Sequence, residues 1–382
     1  MKNKTRNIYP GGNTPYGFYS YYNYILPQSE AKKIFCIKGG PGSGKSTMMK
    51  RIGEYFAARN EKVDFLWCSS DPASLDGILL RNRGIAIVDG TAPHIVDPEN
   101  PGAVDVIVNM GEYWDEKGIR ENKDEIMECN QRIKTLFDYA YGYLRCAGQQ
   151  YSFMSEIIDK RITYEEIREC QNQIRIKLDS VTALKRAENR VKKDMIMGRD
   201  EAAGKVRRFF ASAITPEGII SHIDSIVSDI DKVIILEVPK GFRTEKLLGP
   251  VSQRLRDAGF DVEEYYCPMM PDKKIEHLVC QEAGVAVTCA NEYHFTDPEN
   301  IRGKAMEIKL DLYEGEPHDK ISDKILSHLE SSSRENISKA VEILKSAKKN
   351  HDVLESYYIS NMDFGKIEVL KRRIISSVEK EI

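Results

Sequence analysis

The chain carries one pattern twice, some 200 residues apart. Thr215-Pro216-Glu217-Gly218 repeats Thr14-Pro15-Tyr16-Gly17 at an offset of 201, and Val233-Ile234-Ile235-Leu236 falls on Ile34-Phe35-Cys36-Ile37 at 199. That register runs without a gap through Val262 on Val63, Cys267 on Cys68 and Pro271 on Pro72. Beyond it, Gly284 to Val287 falls on Gly84 to Ile87 at 200, and His294 with Asp297-Pro298-Glu299-Asn300 falls on His94 with Asp97-Pro98-Glu99-Asn100. Apolar runs of four residues bounded by Gly, Pro and Asp read as buried strands, and they alternate with helical patterns. The expected architecture is therefore a tandem duplication of one α/β unit. It comprises two parallel sheets flanked by helices, with helical insertions after each copy. The expected division is 1–120 for copy one, 121–210 for a helical segment, 211–314 for copy two and 315–382 for a C-terminal helical segment.

Copy one holds a glycine-rich loop between its first buried strand and the helix-like stretch Met48 to Arg59. Gly39-Gly40-Pro41-Gly42-Ser43-Gly44-Lys45-Ser46-Thr47 fits the G-x-x-x-x-G-K-[ST] spacing of a phosphate-binding loop, and the flanking strand and helix are the context that pattern requires. Glycines allow positive φ and bring backbone N–H groups close to phosphate oxygens. The helix N-terminus adds free N–H groups and the positive end of its dipole. In this reading Lys45 spans the β- and γ-phosphates and the Ser46 hydroxyl ligates Mg2+. Gly84-Ile85-Ala86-Ile87-Val88-Asp89 reads as a buried strand delivering the Asp89 carboxylate to the Mg2+ shell. The strand Val63 to Cys68 ends in Ser69-Ser70-Asp71-Pro72, a polar turn at the expected ligand-binding edge, which makes Asp71 the candidate to orient an attacking water.

Thr14 and Pro15 suit the start of a helix running to about Leu26, and Ala103 to Met110 suits a fourth strand. From Glu121 to Phe210 apolar residues recur at helical spacing, and Thr163-Tyr164-Glu165-Glu166 has the form of a capping box. Residues 185–208 hold nine basic and four acidic side chains, read as a solvated helix face rather than a nucleic-acid surface. A formal net charge of -3 argues against a general polyanion binder. No apolar run approaches 18 residues and Met1 to Pro10 is polar, so neither a membrane span nor a secretory signal is expected. The eight cysteines lack C-x-x-C spacing and read as reduced, structural thiols of a cytoplasmic protein.

Comparison of the copies separates scaffold from chemistry. In register, copy two has Arg243 for Gly44, Thr244 for Lys45, Glu245 for Ser46, Met270 for Asp71 and Cys289 for Asp89. Every expected phosphate and metal ligand is lost together, so a single nucleotide site is expected, in copy one. Arg243 itself is a conceivable arginine finger for that site. His94 and the Asp-Pro-Glu-Asn turn persist in both copies and read as structural.

The combination of Tyr9-Pro10-Gly11-Gly12-Asn13-Thr14-Pro15-Tyr16-Gly17, the glycine-rich loop, Cys68-Ser69-Ser70-Asp71, Asp89-Gly90-Thr91-Ala92-Pro93-His94 and Gly111-Glu112-Tyr113-Trp114-Asp115 resembles a bacterial family of tandem P-loop ATPases. That family is found mainly in clostridia and bacilli and is loosely described as nucleotide-kinase-like. The resemblance implies a P-loop NTPase fold and ATP binding with Mg2+. Three functions follow as expectations: an ATPase, a phosphotransferase acting on a small-molecule or protein acceptor, or a nucleotide-gated regulator. No Leu-Ser-Gly-Gly-Gln signature is present, and Asn122-Lys123-Asp124-Glu125 misplaces the aspartate of the guanine-reading N-K-x-D, which favours adenine.

Overall fold

The computed structural model describes residues 4–91, 96–179, 203–290, 304–309 and 320–381. The chain is α/β, with two six-stranded sheets, and the duplication extends to nearly every element. The first sheet contains β1 (Thr5–Ile8), β4 (Lys33–Lys38), β5 (Val63–Trp67), β6 (Leu75–Leu80), β7 (Ile85–Asp89) and β8 (Asp105–Asn109). The hairpin of β2 (Gly11–Thr14) and β3 (Gly17–Ser20) stands apart from it. The second sheet repeats the set as β9 (Val206–Phe209), β12 (Lys232–Glu237), β13 (Val262–Tyr266), β14 (Ile275–Cys280), β15 (Val285–Ala290) and β16 (Lys304–Lys309). Its hairpin is β10 (Ser212–Thr215) and β11 (Gly218–Ser221).

Strand order in the first sheet is β1-β5-β6-β7-β4-β8, and the second sheet has the same order among the corresponding strands. The expectation of parallel sheets is corrected: both are mixed, because β6 runs antiparallel to β5 and β7, as β14 does to β13 and β15. The apolar pattern does not announce β6, since Asp76 and Gly77 interrupt its run. Both are accommodated locally. Tyr22 Oη donates to Asp76 Oδ2 at 2.5 Å, and a Cβ on Gly77 would stand 3.0 Å from the Ile87 carbonyl of the neighbouring strand.

The expected helix at residues 14–26 is likewise replaced by the β2–β3 hairpin. Thr14 Oγ1 accepts from Tyr16 N at 3.1 Å and donates to the Gly17 carbonyl at 2.8 Å, closing a turn instead of capping a helix. Gly17 then takes φ +94°, outside the helical region and open to glycine. Thr215 and Gly218, with φ +105°, repeat the arrangement.

Helices cover the sheets. α1 (Lys45–Ala57) buries Met48, Met49, Ile52, Gly53 and Phe56. Its counterpart buries Leu247, Leu248, Val251, Ser252 and Leu255, five positions in the 199 register. The short α2 (Glu116–Glu121) leads to α3 (Lys123–Asp159), and α4 spans 164–179. After α5 (Ile223–Val227) and α6 (Glu245–Asp257), the counterpart of α1, the chain closes with α7 (Lys320–Ile359) and α8 (Phe364–Lys380). The capping box at Thr163 forms: Thr163 N donates to Glu166 Oε2 at 2.7 Å and Glu166 N to Thr163 Oγ1 at 3.2 Å. Residues 180–202, most of the basic stretch, lie outside the described residues, as do His94, His294 and the second Asp-Pro-Glu-Asn turn.

Two compact units result, each assembled from separated pieces. One comprises Lys4–Tyr143, Ala213–Ile220 and Ser338–Ile382, and contains the first sheet. The other contains the second sheet and is built chiefly from Leu144–Ser212 and Ser221–Ile337. The far parts of the helical segments are therefore exchanged: the end of α3 and α4 belong to the second sheet's unit, and the end of α7 and α8 to the first sheet's. α8 contributes Ile367, Ile374 and Val378 to the core formed by α1 and the first sheet. α4 serves the second sheet's unit, where Gln171 Nε2 donates to the Lys246 carbonyl at 2.8 Å and Asp179 pairs with Arg254 at 3.0 Å. No described helix is long and apolar enough to cross a membrane, and all eight cysteines are free thiols, seven of them buried.

Candidate functional site

The site grows from the junction of β4 and α1. Four consecutive buried apolar residues, Ile34 to Ile37, suit a strand with parallel neighbours on both sides, here β7 and β8. That pairing sets Ile37 opposite Asp89 and ends both strands at the loop. The loop turns through Gly42 at φ +67° and Gly44 at φ +86°, and Gly44 is the N-cap of α1 without any side-chain cap. The first-turn N–H groups of α1 are thus not claimed by a capping side chain.

Each expected ligand is held in place. Lys45 Nζ donates to the carbonyls of Gly39 and Gly40, both at 2.7 Å, and stands 3.5 Å from Asp89 Oδ2. Ser43 Oγ donates to the Gly40 carbonyl at 2.7 Å. Asp89 Oδ1 accepts from Thr91 N at 2.8 Å, and Thr91 Oγ1 donates back to the Gly39 carbonyl at 3.0 Å, tying the end of β7 to the loop. Ser46 Oγ accepts from Leu75 N at 2.9 Å, so the start of β6 is pinned to the start of α1.

Asp71 sits in the turn between β5 and β6, an antiparallel hairpin rather than the parallel-strand edge expected from sequence. Its carboxylate accepts from Ala73 N at 3.2 Å and from Ser74 Oγ at 2.7 Å, a turn-forming role that needs no ligand. Lys348 Nζ lies 3.4 Å from its Oδ2. Lys45, Ser46, Asp71 and Asp89 all line one cavity of about 560 Å3, together with Pro41 to Gly44 and Thr47.

The other wall of this cavity carries no sequence motif. Asn130, Ile133 and Phe137 come from α3, and Lys348, His351, Leu354, Glu355 and Ile359 from α7. The end of α7 packs directly on the loop. A Cβ on Gly40 would stand 2.7 Å from Tyr358 Cε1, and one on Gly42 would stand 2.7 Å from the Glu355 carbonyl. Phe364, at the start of α8, lies against Gly44. The residues of α3 lie about ninety positions from the loop and those of α7 and α8 some three hundred, and none carries a local motif; the signal that existed was the helical periodicity of the segments. Burial disfavours the charged form of Lys348, but the hydrogen bond to Asp352 and the Asp71 carboxylate outweigh it and hold its ammonium above the ordinary lysine range. Burial pushes His351 the other way, toward its neutral form.

The corresponding place in the other unit is filled differently. Asp159, near the end of α3, pairs with Arg243 at 3.2 Å and Lys246 at 3.0 Å, which gives Arg243 a carboxylate partner within its own unit. Thr244 is fully buried and donates to the Ile275 carbonyl. Lys274 is buried too, donating to Tyr151 Oη at 2.6 Å and pairing with Glu276 at 3.2 Å. Asn122, of the N-K-x-D look-alike, serves the junction of α2 and α3, its Nδ2 donating to the Gly118 carbonyl at 3.0 Å.

No family model matches the chain, and neither a curated protein nor a solved structure gives a significant match.

Proposed function

We propose that the protein is a Mg2+-dependent ATPase of the P-loop NTPase fold, with one nucleotide site in the unit that contains the first sheet. The observation that carries this is the convergence of Lys45, Ser46, Asp71 and Asp89 on one cavity at the end of β4, around a loop with two left-handed glycines. The two carbonyl contacts of Lys45 are ones that phosphate oxygens would take over, leaving the ammonium on the phosphate chain. The Ser46 hydroxyl and Asp89 carboxylate are hard oxygen donors of the kind Mg2+ selects, so the residues present fit that ion. Ser46 would hold it directly and Asp89 through water; bound there it neutralises phosphate charge. Asp71 would orient the attacking water. The resemblance of residues 9–115 to tandem P-loop ATPases supports the same reading.

A second reading, a nucleotide-gated regulator with little turnover, is favoured by two observations. Gly90 follows Asp89 where a second carboxylate would serve as base, and the carboxylate of Asp71 already serves its own turn. A phosphotransferase differs from both in requiring an acceptor.

The test is phosphate release from ATP and GTP with Mg2+, with nucleotide binding followed by calorimetry. Release from ATP that falls about a hundredfold or more in both Lys45→Ala and Asp71→Ala, with Asp71→Ala still binding ATP, is the expected result. ATP bound without release, and without stimulation by any acceptor, would leave the regulator.

A further inference from the structure

We infer that Lys348, on the C-terminal helix α7, is a second phosphate-contacting cation of this site, one that reads the terminal phosphate of a nucleoside triphosphate. The inference rests on the nucleotide-binding reading above and adds to it a residue outside the glycine-rich loop. Three observations carry it.

The first is position. Lys348, His351, Glu355 and Ile359 recur at three- and four-residue spacing on α7 and line the cavity. The packing of Glu355 and Tyr358 on Gly42 and Gly40 holds that face of the helix against the loop. The second is the side of the loop on which the ammonium stands. Lys348 Nζ faces Asp71, Asp71 accepts from Ser74 Oγ, and the next residue, Leu75, donates its N–H to Ser46 Oγ. This short chain of contacts ties the Lys348 ammonium to the serine end of the loop. There P-loop chemistry puts the metal and the outer phosphates.

The third is charge. Among the described lining residues Asp71, Asp76, Asp89 and Glu355 are acidic, whereas the lysines are Lys45, Lys50 and Lys348. Lys50 Nζ donates to the Ala73 carbonyl, and Lys45 belongs to the loop. A phosphate chain entering this acidic cavity needs a further cation, and Lys348 pairs with carboxylates alone, Asp71 and Asp352, whereas Lys45 divides between two backbone carbonyls and Asp89. Exchanging a carboxylate for a phosphate oxygen keeps its charge paired, so the switch costs little desolvation.

The experiment is calorimetric titration of the full chain with Mg-ATP and with Mg-ADP, for the parent, Lys348→Met and Lys348→Arg. Lys348→Met is expected to weaken ATP binding by about tenfold to a hundredfold, with ADP binding changed by about twofold or less. Lys348→Arg should restore most of the ATP affinity. Equal weakening of ATP and ADP, or no weakening of either, would show Lys348 to be only a partner of Asp71 and would overturn the inference while leaving the nucleotide site standing. A parent chain that binds neither nucleotide overturns both. If Lys348→Met does not fold, the double variant Lys348→Met/Asp71→Asn, which removes the less exposed of its two carboxylate partners, is read for the same ATP-to-ADP ratio against Asp71→Asn alone.

Discussion

Gly40 and Gly42 are glycines for reasons that differ in kind. Gly42 needs its positive φ as well as room beside the Glu355 carbonyl, whereas Gly40 needs room alone, because the Tyr358 ring occupies the place of a side chain. Gly40→Ala should therefore destabilise the chain by about 1–3 kcal/mol through overpacking. Pairing it with Tyr358→Ala should recover about 1 kcal/mol or more relative to the sum of the single changes. Urea unfolding of the four proteins measures both quantities, and strict additivity would mean that helix and loop do not touch in solution. A second residue-level test concerns Arg6, which pairs with Asp64 through two bonds of 2.8 and 2.7 Å while both are almost fully buried, with Arg81 3.0 Å away. Asp64→Ala leaves the Arg6 guanidinium buried without its carboxylate and should cost about 3–5 kcal/mol, read as a lowered urea midpoint. Arg6 and Asp64 face each other across β1 and β5, and Arg207 and Glu263 occupy the same register in the second sheet. Nothing in the one-dimensional pattern announced this pair, because β1 is four residues long and mostly polar.

Among the elements, those with strong local chemistry were legible and those governed by distant burial were not. The loop, α1 and the buried strands β4 and β7 each follow from a short run of consecutive residues. The hairpin at Thr14 did not, because the same hydroxyl that caps a helix also closes a turn, and the φ of Gly17 settles which. Thr14→Val and Thr215→Val should each cost about 1–2 kcal/mol by removing the turn's two hydrogen bonds. Thermal melting of the two variants checks this. The amphipathic pattern of α8 was readable as helix, but not the sheet it covers. Ile374, nearly fully buried in the core of the first sheet's unit, tests that assignment. Ile374→Ala should lower stability by about 2–5 kcal/mol and weaken nucleotide binding, since α8 begins beside Gly44 of the loop.

For the whole molecule, duplication with loss of one ligand set predicts a single nucleotide per chain. Calorimetry with Mg-ATP should give a stoichiometry near one, and Lys45→Ala should abolish it. Acid should weaken the unit containing the second sheet through His222, whose imidazole burial pushes down to about 4 from the usual 6.5. Above pH 6.5 this side chain is neutral whether the chain is folded or not, and its contribution is constant. Between 6.5 and 4 the unfolded chain alone takes up the proton, so stability falls as pH falls through that window and levels off below it. His222→Gln should flatten that part of a stability-against-pH curve. The nucleotide-site candidates, the two-fold repeat and its one-sided loss of ligands were all readable in the linear chain, because phosphate-binding chemistry and strand periodicity act over short spans. The antiparallel sense of β6, the exchange of helical hairpins between the two sheets and the meeting of Lys348, Glu355 and Tyr358 with the loop were not. They depend on which apolar faces bury each other across hundreds of residues, and side-chain types in sequence specify that a face must be covered without specifying by what.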